Sequence, residues 1–126
     1  TVASGSYVKI QLNSETYDPG SNFDSVTNYR YVIPTDGDGY YYLSGQIHGT
    51  VTAGGRWLCA VRKNGSNLVS TEVPLAANEL GSSCVNDIQY RVSGDYIELY
   101  IYQTSGSNAT VYGGTTDTFL VVKRMI

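Results

Sequence analysis

Hydrophobic and polar side chains alternate along most of this chain, and Gly, Asn, Asp and Ser separate the alternating segments. The clearest segment is YIELYIYQ at 96–103, where isoleucine or leucine occupies 97, 99 and 101 and the even positions carry tyrosine or glutamate. Successive side chains of a strand point to opposite faces of a sheet, so this segment predicts a strand with one core face. No segment keeps a helical period for three turns. The pattern predicts strands over 7–12, 29–33, 40–52, 57–62, 68–73, 85–92, 96–103, 110–112 and 118–124.

Turn residues support these strand boundaries. Pro34 ends the second predicted strand, and Asn64-Gly65 is a strong signal for a two-residue hairpin because both positions of that turn take positive φ. Gly45 and Gly49 lie inside the third predicted strand, where we expect bends or bulges. Together these features predict an all-β, antiparallel sandwich or barrel of eight to ten strands. We expect a single domain over 7–126, with 1–6 as a connection to an upstream segment.

Length and charge narrow the classes of function. The chain has 126 residues, which suits one domain, and a formal net charge of -3. Its basic residues are scattered, so we expect no nucleic-acid partner, since phosphate binding needs clustered Lys and Arg. No apolar run is long enough to cross a bilayer, and we expect no membrane insertion. The chain begins at Thr1 rather than Met, and we expect it to be part of a longer protein.

Tyrosine is unusually frequent, with twelve Tyr against two Phe and one Trp. Tyr96, Tyr100 and Tyr102 lie opposite the apolar row of their strand, and Tyr40 and Tyr42 repeat the arrangement in the third predicted strand. Tyrosine is enriched in protein interfaces, so we predict that these five side chains form an interface between subunits. The alternative is a two-sheet core in which the tyrosine hydroxyl groups reach the rim.

Residues that could carry catalysis are few. His48 is the single histidine, and a Ser-His-Asp site would need a carboxylate and a nucleophile beside it. The aspartates lie in turns, where they cap backbone groups, so we do not expect an enzyme. Cys59 and Cys84 are either joined by a disulfide, which would stabilise by roughly 3 kcal/mol, or are two buried thiols. The sequence leaves both options open.

Some residues suggest ligand contacts. Asp36-Gly37-Asp38 places two carboxylates in a turn and makes calcium the one possible cofactor. Trp57 could stack on a sugar ring beside Arg56, although a buried core Trp is the commoner outcome in a β-sandwich. Binding residues are expected mainly in loops. The predicted ligand-binding residues are Tyr17, Arg56, Trp57, Ser105 and Asn108.

Four segments, in order along the chain, resemble a known family. The first runs from Tyr17-Asp18 through Phe23-Asp24 to YVIPTDGDGYYYL at 31–43, and the others are VRKNG at 61–65, GDYIEL at 94–99 and TFLV at 118–121. This series is similar to the globular head domain of complement C1q, within the C1q/tumour-necrosis-factor jelly-roll superfamily, and looks most like its microbial and bacteriophage versions. The chain departs from the family pattern at Leu43, where Phe is usual, and at Leu120-Val121, where Gly usually follows the closing Phe.

The resemblance implies a jelly-roll homotrimer at the tip of a fibrous or secreted protein, on a virion surface or outside the cell. It implies binding to a cell-surface glycan or protein, most of all as the receptor-binding tip of a phage fibre. Two alternatives stay open. The chain could be a monomeric carbohydrate-binding module of a larger hydrolase, or a purely structural trimerisation domain.

Overall fold

The computed structural model describes residues 1–126 and contains ten strands and no helix. No helix that could span a membrane is present. The strands are β1 Val8–Lys9, β2 Phe23–Asp24, β3 Arg30–Val32, β4 Gly39–Thr50, β5 Gly55–Lys63, β6 Ser66–Leu75, β7 Leu80–Arg91, β8 Tyr96–Gln103, β9 Thr110–Val111 and β10 Phe119–Arg124. The predicted all-β fold is therefore confirmed.

The strands form two antiparallel sheets. In the first sheet the order is β2-β3-β8-β5-β6, and β1 pairs with β8 beside β3. In the second sheet the order is β10-β4-β7, and β9 pairs with β4 beyond the end of β10. The inner faces of the two sheets enclose one apolar core, as in a β-sandwich.

Alternation along the longest strands builds this core. On β8, Ile97, Leu99 and Ile101 are fully buried, as their spacing predicts. Tyr41 and Leu43 on β4 face them from the second sheet, and the Tyr41 hydroxyl group donates to the Gly37 carbonyl at 2.7 Å. The polar tip of this tyrosine is therefore satisfied while its ring fills the core.

The β5–β6 hairpin has the predicted two-residue turn. Asn64 and Gly65 take φ values of 47° and 85°, and Lys63 pairs with Ser66 on either side of them. Mirror-image turns of this kind match the twist of the flanking strands. A shift of register between Val61 and Arg62 is the irregularity in this strand pair.

The glycines of β4 do not form the expected bulges. β4 pairs with β7 in continuous register from Gly39 to Thr50. A Cβ atom on Gly45 would lie 2.7 Å from Leu99 Cδ1, and one on Gly49 would lie 2.1 Å from the Thr110 carbonyl oxygen. These positions therefore need glycine for close packing, which alternation within a single strand does not reveal.

The N-terminal residues belong to the domain, which corrects the boundary expected at residue 7. Val2 is a buried member of the core and pairs with Ala109 through two backbone hydrogen bonds of 2.8 and 2.9 Å. The fully buried Gln103 holds this region, since its Nε2 donates to the Ser107 carbonyl at 2.7 Å. The first predicted strand, in turn, shortens to Val8–Lys9.

Candidate recognition surfaces

The outer face of the first sheet is covered by side chains of the same chain. The Arg62 guanidinium lies 4.7 Å from the ring centroids of both Tyr7 and Tyr100. The ring of Tyr7 also contacts that of Tyr102, with 5.1 Å between centroids, and its hydroxyl group accepts from Asn67 Nδ2 at 2.9 Å. Stacking of this kind shields aromatic surface and restrains the arginine.

Charged pairs complete this cover. Lys9 Nζ lies 2.6 Å from the Glu98 carboxylate, whose residue is only 3% exposed. Arg30 lies over the ring of Tyr96 at 4.4 Å. The tyrosines of β8 therefore already have partners within the chain, and all three are largely buried.

The outer face of the second sheet is different, because it exposes large apolar side chains. Tyr40 pairs across the strands with Tyr90, and their rings meet edge to face at 5.3 Å. Tyr42 pairs with Ile88, which is 53% exposed. We call this surface the exposed apolar face. It consists of Tyr40, Tyr42, Ile88, Tyr90, Val121 and Met125.

The structure thus divides the five tyrosines that the sequence assigned to one interface. Tyr40 and Tyr42 lie on the exposed apolar face, whereas Tyr96, Tyr100 and Tyr102 lie on the opposite side of the sandwich. A single flat contact cannot cover both groups. Ile88, Tyr90 and Val121 were not among the predicted residues, because their alternation within β7 and β10 does not tell which side faces the core.

Three predicted ligand-binding residues lie at one end of the sandwich. The Arg56 N–H donates to Thr104 Oγ1 at 2.9 Å, which joins the start of β5 to the loop after β8. Ser105 and Asn108 belong to that loop, and the exposed Arg56 guanidinium contacts Glu72. Tyr17 lies elsewhere, next to Asp18, whose carboxylate accepts from Phe23 N at the start of β2.

Trp57 is not available to a ligand, which corrects its prediction as a sugar-stacking residue. Its side chain is completely buried in the core, and its indole N–H donates to the Ile47 carbonyl at 3.2 Å. A buried indole has no free ring face to offer to a sugar. The commoner alternative, a core tryptophan, is what the structure shows.

Asp36 and Asp38 lie in the turn before β4 without further acidic neighbours. The Asp38 carboxylate accepts from Ser93 N at 2.7 Å, which links this turn to the one between β7 and β8. No group of three or more His, Cys, Asp and Glu side chains that could hold a metal ion is present. The turn therefore offers calcium two carboxylates, one of which already has a hydrogen-bond partner.

His48 has a partner that the sequence does not reveal. On the outer side of β4, its Nδ1 lies 3.0 Å from Asp117 Oδ1, and its ring meets Tyr112 edge to face at 5.2 Å. Asp117 is 69 positions away in the chain. The backbone Tyr112 N–H donates to the His48 carbonyl, so pairing of β4 with the β9 segment brings this cluster together. No hydroxyl or thiol group is hydrogen bonded to the imidazole ring.

The two cysteines are free, and they lie in different environments. Cys59 is buried in the core, and burial, together with the nearby Cys84, raises the pKa of its thiol to about 12. Cys84 is exposed on β7. Of the two options left open by the sequence, the structure has no disulfide and one buried thiol.

Comparison with protein-family models gives no match, and comparison with curated proteins gives none either.

Proposed function

We propose that this domain is a non-enzymatic recognition head of the C1q/tumour-necrosis-factor jelly-roll type. In this proposal it assembles as a homotrimer and binds a glycan or protein of a cell surface. Its setting is the tip of a longer fibrous or secreted protein, outside the cell or on a virion, with a phage fibre as the preferred case. The observation that carries the proposal is the exposed apolar face.

This face has the character of a surface that another subunit covers. Contiguous exposed apolar patches are rare on monomers and commonly mark interaction sites. It carries Tyr40, Tyr42 and Tyr90, and tyrosine is enriched at interface cores. One charged residue, Lys123, lies opposite Tyr42 on the edge strand β10. The opposite outer face lacks this feature, since Tyr7 and Arg62 cover its tyrosines. We therefore assign the subunit contact to the second sheet.

The path of the chain supports the jelly-roll proposal. The chain passes from one sheet to the other between β3 and β4, between β4 and β5, between β6 and β7, between β7 and β8, and between β8 and β9. Repeated crossing between two antiparallel sheets is what a double Greek key requires. The carbohydrate-module alternative loses its main support, because it relied on Trp57 as a stacking platform.

Solution mass tests the assembly. Light scattering on the 13.7 kDa chain should give three times that mass. Ile88→Lys adds a charge beside Tyr42 on the exposed apolar face and should produce monomers with unchanged circular dichroism. Val26→Lys is the matched control, since Val26 is 78% exposed in the β2–β3 turn, away from this face. A monomeric unmodified chain would overturn the trimer.

Recognition needs its own test. Three copies would present identical loop sets, so weak binding at each site would become avid. The trimer should bind a glycan array or whole cells, and the Ile88→Lys monomer should bind much more weakly. A stable trimer that binds nothing in both screens would instead favour the purely structural role.

A further inference from the structure

We propose that a cleft between the residues that precede β2 and the β7–β8 turn binds a neutral saccharide unit. The cleft has a volume of about 450 Å³, which lies in the usual range for small-ligand sites. Its lining includes Ser21, Phe23, Pro34, Thr35 and Ser93. The proposal rests on the recognition role above and gives that role a location and a ligand class.

The hydroxyl groups in this cleft have no partner in the protein. The side chains of Ser21, Thr35 and Ser93 make no hydrogen bond within the chain, although the Ser93 backbone N–H is bound by Asp38. A serine or threonine hydroxyl group donates once and accepts twice, which matches the hydroxyl groups of a sugar. Phe23 and Pro34 add the apolar surface against which the C–H face of a sugar ring packs.

The walls of the cleft are held in place before any ligand arrives. Asp18 accepts from the Asn22 and Phe23 amides at 3.1 and 2.9 Å, and Val32 N donates to the Asn22 carbonyl at 3.0 Å. On the other wall, Gly94 N donates to the Ile33 carbonyl at 2.9 Å. A preformed site loses less conformational entropy when a ligand binds, which favours affinity.

Charge in the lining disfavours an anionic ligand. Asp24 is the one charged residue in the lining, and its carboxylate accepts from the amides of Val26, Thr27 and Asn28 and from Asn28 Nδ2. These four donors occupy its lone pairs, so little acceptor capacity is left for a ligand. The fixed negative charge of Asp24 repels an anionic sugar.

Amide chemical shifts of the isotope-labelled full chain test the site. Lactose, cellobiose and diacetylchitobiose are the probes, and sialyllactose is the anionic counterpart of lactose. At least one neutral disaccharide should shift the amides of Ser21, Asn22, Phe23 and Ser93, and sialyllactose should bind more weakly than lactose. The proposal is overturned if none of the neutral probes shifts these amides, or if the shifts concentrate at the loop around Ser105.

Paired variants separate the site from the fold. Thr35→Val with Ser93→Ala removes two of the three hydroxyl groups and should lower saccharide affinity about tenfold. Thr115→Val with Ser70→Ala makes the same chemical changes at exposed positions outside the cleft and should leave affinity unchanged. Equal affinity of the two double variants would contradict the assignment.

Solution mass, measured on each sample used for binding, distinguishes the two proposals. A trimer that binds no disaccharide overturns only the saccharide site. A monomer that binds one overturns only the trimer.

Discussion

Asn64 and Asp95 tie two turns together at one end of the sandwich. Asn64 Nδ2 donates to Asp95 Oδ1 at 3.0 Å, and Asn64 Oδ1 accepts from Tyr96 N at 2.9 Å. Asp95 is 8% exposed, and its second oxygen accepts from Val92 N at 3.2 Å. Asn64 therefore has two roles, since it also supplies the positive φ that the β5–β6 hairpin needs.

Replacing Asn64 should lower stability by more than a turn position alone explains. Asn64→Ala loses both the tolerance of positive φ and two hydrogen bonds, and it leaves the buried Asp95 with one donor fewer. We expect a loss of about 2–3 kcal/mol in the free energy of unfolding, measured with urea.

Asn78 provides the matched control. It also has a positive φ, of 58°, but its side chain makes no hydrogen bond in the chain. Asn78→Ala should therefore lower the free energy of unfolding by only about 1 kcal/mol. Asn64→Gly should avoid the loss caused by positive φ but not the loss of the two hydrogen bonds. Equal losses for Asn64→Ala and Asn78→Ala would show that the link to Asp95 contributes nothing.

Glycine replacements in β4 should differ according to the atom that the new methyl group meets. Gly49→Ala would press against the Thr110 backbone and should cost at least about 3 kcal/mol, detaching β9. Gly45→Ala would meet the flexible end of Leu99 and should cost about 1–3 kcal/mol. Gly113→Ala has open space and serves as the control. Thermal unfolding of the three variants checks this order, and a reversed order would contradict the packing argument.

The elements of this fold were predictable where the signal is local. The period of two along β8 identified its core face, and Asn64-Gly65 identified a hairpin, because both signals depend on neighbours in sequence. The glycines of β4 show the limit of such reasoning. Gly45 in a strand indicates either a bulge or a close approach, and only the position of Leu99 in the facing sheet decides between them.

The candidate surfaces were less predictable, because they depend on contacts between distant segments. A tyrosine-rich row on β8 suggests an exposed face until Tyr7 is seen to lie across it and bind Asn67, 60 positions away. Burial of Trp57 and the pairing of His48 with Asp117 likewise depend on how the strands pair and pack. Sequence alternation gives two faces for each strand, and packing decides which of them a partner could reach.

The pKa of Asp24 should be measurably low. Backbone N–H groups of Thr27, Val26 and Asn28 lower it to about 2 from an ordinary value near 3.8. A depressed pKa stabilises the folded state above the unfolded pKa, so this contribution should disappear as the pH falls from about 4 to about 2. Carbon-detected titration of the Asp24 carboxyl group gives the value directly, and a midpoint near that of an unfolded peptide would contradict the structure. Asp24→Asn should flatten the pH dependence of stability in this window.

The two thiols should react at very different rates. In the folded chain at about pH 8, a thiol reagent should modify Cys84 rapidly and Cys59 only on unfolding, because Cys59 is buried and its pKa is raised to about 12. Cys84→Ser should remove the fast phase and leave the slow one, which assigns the two phases.

Cys84 pairs with Gln46 on the same outer side of the second sheet as the exposed apolar face. If that face associates, the fast phase should also slow as the trimer forms, and it should regain its speed in the Ile88→Lys monomer. If neither cysteine reacted until a reductant was added, the two would be joined by a disulfide, which would contradict the separation of the two thiols.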